Sequence, residues 1–122
     1  MKHSVTWRLG VEEIVFKDEF GQTTDIMELE SRGLDDLFYY VRFAPSSFNS
    51  QPWRFILEKD KVVLLLAYSK ENKINLMDAG IIMYYFESLA KTIGISNKWN
   101  LVEKEDMIYE GTKYKFIGEF KL

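Results

Sequence analysis

The chain has 122 residues, 47% of them hydrophobic and 16% aromatic. That is material for one core and not for two, since domains typically run to about 100–150 residues. There is no cysteine and a single histidine, His3, which excludes disulfides, thiolate nucleophiles, Cys-ligated zinc and multi-imidazole metal sites, and makes a Ser-His-Asp triad a poor fit. Sixteen basic residues are interspersed among 19 acidic ones, leaving no basic stripe for nucleic acid. The longest apolar run, Val62 to Tyr68, falls far short of the roughly 20 residues that span a bilayer. With no charged-then-apolar leader at its opening, the expectation is one soluble, cytoplasmic domain over 1–122, without nucleic-acid, membrane or metal partners.

From Val11 to Ile26, β-branched and aromatic residues surround Asp18-Glu19-Phe20-Gly21, and the spacing predicts a hairpin with its turn at the glycine. Leu34, Leu37, Phe38 and Val41 recur at helical spacing, with Asp35 and Asp36 in the first turn. This predicts a helix from about Leu34 to Phe43, ended by Pro45. Trp53–Leu57 and Lys61–Tyr68 flank Glu58-Lys59-Asp60 as a central hairpin whose second strand is apolar enough to be buried on both faces. Asp78 is expected to cap a helix that runs to Ile93, with Ile82, Tyr85, Phe86, Leu89 and Ile93 on one side and Gly94 at its end. From Lys113 to Leu122, Tyr114, Phe116, Gly118, Phe120 and Leu122 alternate with charged residues and Ile117, predicting a terminal strand with one apolar face. Helices and strands without regular βαβ alternation indicate an α+β fold, an antiparallel-rich sheet packed with a few helices.

The loop Ala44-Pro45-Ser46-Ser47-Phe48-Asn49-Ser50-Gln51-Pro52-Trp53 joins the first helix to the central hairpin. Five of its six residues from Ser46 to Gln51 carry a neutral hydroxyl or amide, which both donates and accepts hydrogen bonds and so suits an uncharged, heteroatom-rich ligand such as a flavin edge. By composition alone the same residues describe an ordinary turn.

The string Ala-Pro-Ser-x-x-Asn-x-Gln-Pro-Trp, entered from a helix and leaving into a strand, resembles the signature of the FMN-dependent nitroreductase family. The helix start Asp78-x-Gly80, followed by Leu89-Ala90 and Gly94, is similar to that family's long central helix. The likeness runs from Leu34 to Gly94, and the chain looks similar to the C-terminal half of a divergent subfamily in which one longer chain carries two related halves. It implies a half-size nitroreductase-like fold, with FMN as cofactor and Pro45, Ser46, Ser47, Asn49 and Gln51 as cofactor contacts at a dimer interface. Trp53 would pack in the core. The implied activity is electron transfer from NAD(P)H to a nitroaromatic, quinone or similar acceptor, an oxidoreductase chemistry that asks no nucleophile of the protein. The Arg-x-Ser-x-Arg opening that holds the FMN phosphate in the family has no counterpart in Met1-Lys2-His3-Ser4-Val5-Thr6-Trp7-Arg8. The alternative is therefore a flavin-free nitroreductase-like half domain, acting as a structural or interaction module.

Other constellations point to surface and interface. Glu12-Glu13, Asp35-Asp36 and the cluster Glu103, Glu105, Asp106 read as solvated faces rather than acid–base sites. The row Lys113, Lys115 and Lys121 carries the charge to attract a phosphate, but it fits better an edge strand guarded against stray pairing. Ile81 to Phe86 are six consecutive apolar or aromatic residues, more than one core-facing stripe requires, which predicts a homodimer built on this helix.

Overall fold

In the computed structural model, which describes residues 7–122, the sheet is ordered around the hairpin that the sequence marks most strongly. β1 (Val15–Lys17), β2 (Trp53–Leu57), β3 (Lys61–Tyr68), β4 (Asn100–Leu101), β5 (Met107–Tyr109) and β6 (Thr112–Lys121) form one six-stranded sheet. Its order is β1-β2-β3-β6-β4, with β5 paired to the start of β6. Every pairing is antiparallel except β1 with β2. β3 lies in the middle, and Val62 to Leu66 are buried without a break, as expected for a strand covered on both sides. Four helices accompany the sheet among the described residues: α1 (Val11–Ile14), α2 (Ile26–Ser31), α3 (Asp35–Val41) and α4 (Leu76–Thr92). None is long and apolar enough to cross a membrane.

The two faces of the sheet are unequal. On one, α3 and α4 bury a large cluster in which Phe38, Phe55, Phe86 and Phe120 meet ring to ring. On the other, Ile56, Val63, Leu65 and Tyr114 form a smaller cluster with Phe20, Met107 and Phe116.

Several expectations are corrected. The Val11–Ile26 segment is not a hairpin: its first residues form α1, and β1 runs parallel to β2. Only a single bridge, Phe16 to Thr23, returns across the turn at Asp18 and Gly21. The parallel neighbour wins because β1 thereby joins a sheet with a buried face, whereas an isolated two-stranded hairpin is marginal. The helix expected over Leu34–Phe43 spans Asp35–Val41. In α4, Asn75 rather than Asp78 is the cap, its side chain accepting from Met77 N (2.9 Å) and Asp78 N (3.4 Å).

β6 does not keep one apolar face. Leu64 pairs with Gly118 but Leu65 with Phe116, so Ile117 is an extra residue, a bulge that reverses the alternation. Tyr114 and Phe116 consequently pack with the smaller cluster, and Phe120 and Leu122 with the larger. β6 is also not an edge strand, because β3 and β4 flank it. His3 lies outside the described residues.

Candidate functional site

Among the described residues, the loop between α3 and β2 holds the densest run of left-handed non-glycine residues. Ser46 is extended, Ser47–Asn49 make a 3-10 turn, and Phe48, Asn49 and Gln51 all have positive φ, at 53°, 55° and 48°. Non-glycine residues in this region are uncommon, costing about 1 kcal/mol or more each, and they persist only where surrounding contacts fix them. Those contacts begin inside the loop. The Ser46 hydroxyl accepts from Gln51 N at 2.9 Å, Asn49 N donates to Ser46 O at 3.0 Å, and Ser50 N donates to Ser47 O at 3.0 Å.

Two further parts of the chain hold the loop from outside. From the first turn of α4, the Asp78 carboxylate accepts from both Ser47 N (3.0 Å) and Ser47 Oγ (3.3 Å), and Asn75 Nδ2 donates to the same hydroxyl at 2.7 Å. Asp78 is 4% exposed, and these donors are what make its burial tolerable. On the other side, residues 7–9 cross the loop as a strap. The buried Gln51 side chain accepts from Leu9 N at 2.8 Å and donates to Trp7 O at 3.3 Å. Asn49 Nδ2 also donates to Trp7 O, at 3.0 Å. Arg42 donates to Leu9 O (3.0 Å) and Arg8 to Ala44 O (3.0 Å).

Between the loop and the end of β3 lies a cleft of about 370 Å³, within the range of small-molecule sites. Ser47, Ser50, Gln51, Pro52 and Arg54 form one wall, and Leu66, Ala67 and Tyr68 form another. Its far side comes from the β3–α4 loop, including Glu71 and Lys73. The Arg54 guanidinium donates to Gln51 O (2.8 Å) and Trp53 O (2.7 Å), and burial lowers its pKa from the ordinary value. The Tyr68 hydroxyl donates to the Asp106 carboxylate, a bond that raises the tyrosine pKa, with burial acting in the same direction. A second concavity of about 460 Å³ adjoins the first, sharing Tyr68, Ser69, Lys73 and Thr112 and adding Lys70 and Lys113.

The residues singled out in the sequence therefore separate. Ser47 and Gln51 line the cleft; Pro45, Ser46 and Asn49 do not. Trp53 is fully buried in the main core, as expected. Sequence reasoning missed Asp78 as the inward anchor of Ser47, because an Asp near a helix start reads as a cap. Of the lysines of the second concavity it singled out Lys113, and it missed Lys70 and Lys73, which belong to no motif. The mixture of apolar wall and a few polar groups suits a flat heteroaromatic ring with a polar edge, so the residues present fit a flavin.

The family model described as "Putative TM nitroreductase" matches residues 18–90, more than half of the 122 residues and a span that contains both the loop and the start of α4. No curated protein and no solved structure matches the chain significantly. The matched span joins the contorted loop, the cleft beside it and the Asp78 anchor in one half-size α+β fold, and on that match the chain belongs to this nitroreductase family.

Proposed function

We propose that the protein is an FMN-binding oxidoreductase domain whose flavin lies in the cleft beside the Ser47–Pro52 wall. The observation that carries this reading is the position of the cleft, formed by the loop whose residue string bears the family likeness, with all of its lining but Thr112 inside the matched span. When bound, the flavin supplies the redox chemistry, from NAD(P)H to a nitroaromatic, quinone or similar acceptor. The chain's own part is to bind and orient. On the loop wall the Ser50 hydroxyl offers a hydrogen bond to the ring edge, while Leu66 and Ala67 offer an apolar floor. Pro45, Ser46 and Asn49, away from this cleft, remain to meet a flavin shared with a second copy.

The reading includes a homodimer. In α4, Asp78, Ala79, Ile82, Phe86 and Ala90 are buried, whereas Leu76, Met77 and Tyr84 are each at least 70% exposed. That second apolar face supports pairing with another chain. Light scattering coupled to size exclusion is expected to give twice the chain mass; a monomer at micromolar concentration would reject the pairing. A cytoplasmic location belongs to the same proposal, since the electron donor is the nicotinamide pool.

Incubation of purified protein with FMN, followed by desalting, is expected to leave it yellow, with free FMN released on denaturation. A second reading, a flavin-free half domain serving as an interaction module, is favoured by one observation. The amides of Asn49 and Gln51 and the hydroxyls of Ser46 and Ser47 are already engaged within the chain. Protein that stays colourless after FMN treatment would select it.

A further inference from the structure

The cations that bear on the cleft differ in how they are occupied. Arg54 is held by two main-chain carbonyls, and farther back Arg8 and Arg42 are likewise held by Ala44 O and Leu9 O. Each of these guanidiniums is thereby tied to the main chain. Lys70, Lys73 and Lys113 are different. All three are exposed, all three line the second concavity, and none forms an ion pair with a described residue. By contrast Lys17, Lys61 and Lys104 each have a glutamate within 4 Å.

Geometry brings the three lysines together from two parts of the chain. Lys70 and Lys73 sit on the loop between β3 and α4, where a turn closed by Ser69 N to Asn72 O (2.8 Å) and Asn72 N to Ser69 Oγ (2.9 Å) fixes the backbone. Lys113 stands at the start of β6, directly opposite Tyr68 in the ladder. Lys73 lines both cavities, so the recess opens into the cleft rather than standing apart from it. The recess itself is lined by no described carboxylate; of the two on the adjoining cleft, Glu71 and Asp78, Asp78 is engaged by Ser47, and Asp106 is engaged by Tyr68. A phosphate monoester carries roughly −1.5 to −2 charges at neutral pH. Lysine ammoniums bind such a group as point charges, without the planar fork of arginine.

We infer that the recess formed by Lys70, Lys73 and Lys113 takes the phosphate of FMN. The inference rests on the flavin reading of the cleft. Flavin ring and phosphate are then held by different elements: the ring by the Ser47–Pro52 wall, the phosphate by the β3–α4 loop and the first residue pair of β6.

Quenching of flavin fluorescence, titrated in parallel with FMN and with riboflavin, tests this. The two ligands share the ring and differ in the phosphate. FMN is expected to bind about tenfold or more tighter than riboflavin at low salt. That advantage should shrink as salt is raised, because the lysines are exposed and screened. The triple variant Lys70→Gln, Lys73→Gln, Lys113→Gln should lower FMN affinity to the riboflavin level while leaving riboflavin binding and the melting temperature unchanged. Equal affinity for the two ligands, or an FMN preference that survives the triple variant, would overturn the lysine assignment and leave the flavin cleft standing. Binding of neither ligand would overturn the flavin reading itself, and the assignment with it.

Discussion

The loops at 46–51 and 69–73 face each other across one cleft and treat their polar side chains in opposite ways. In the first, nearly every hydroxyl and amide is turned inward: Ser46 to Gln51, Ser47 to Asp78 and Asn75, Asn49 and Gln51 to the 7–9 strap. In the second, the serine and asparagine close a small turn, and the lysines are left facing solvent. The difference teaches that a string of neutral polar residues can be the means of holding a strained backbone rather than a set of ligand contacts. Three left-handed residues in four positions need that many internal bonds.

The comparison breaks first at the exit of the tighter loop. Trp53→Ala is expected to cost about 3–5 kcal/mol of folding stability, with or without flavin, because a large side chain with no exposed surface leaves a cavity; chemical denaturation measures it. A loss below about 1 kcal/mol would mean that the loop is not anchored there. Next comes Asp78→Ala, expected to cost about 1.5–3 kcal/mol, since two hydrogen bonds to a buried carboxylate are lost together. Amide exchange at Ser47 should accelerate in this variant.

Gln51→Ala separates folding from binding. If its amide serves the strap, apo stability falls by about 1–3 kcal/mol, as the N–H of Leu9 loses its partner and the carbonyl of Trp7 keeps only Asn49. A variant with unchanged apo stability and weakened flavin binding would reverse the roles of the two loops.

The smallest effect contrasts paired with unpaired lysines. Burial raises the pKa of Glu119, but the hydrogen bonds and charges of Lys61 and Lys104 outweigh it and hold the carboxyl below its ordinary value. A depressed folded-state pKa contributes stability above the unfolded value of about 4.3. That contribution is lost as pH falls through the folded value. Glu119→Gln should therefore cost less than about 1 kcal/mol at neutral pH and nothing in strong acid, read from melting temperatures across pH 2–7 as an order-of-magnitude range.

How much was legible in the sequence follows from how local each signal is. β2, β3 and α4 stand out because alternation, an apolar run and helical periodicity are properties of contiguous residues. α2 escaped notice because only Leu29 in it is buried; its marks are at the ends, Asp25 accepting from Met27 N and Gly33 at φ 71°. β1 reads as half of a hairpin, since nothing local says that its partner lies some 40 residues on. The same holds for the site. The loop was visible as a string, but the bond from Leu9 to Gln51 spans 42 positions, and the lysine recess assembles residues 70–73 with 113. Composition carries no trace of either.

The bulge at Ile117 has a meaning for how this chain tolerates change in length. Because side chains in a strand alternate with a period of two, one surplus residue acts as a phase shift, letting a single strand serve one cluster with Tyr114 and Phe116 and the other with Phe120. Removing Ile117 would therefore leave Phe116 opposite Leu65 and Gly118 opposite Leu64, a regular ladder in which Phe120 keeps its place in the aromatic cluster it shares with Phe86 and Trp99. Removing Glu119 instead, from the regular part of the strand, would carry Phe120 to the opposite face, so the bulge is the one point of this strand that absorbs the loss of a residue.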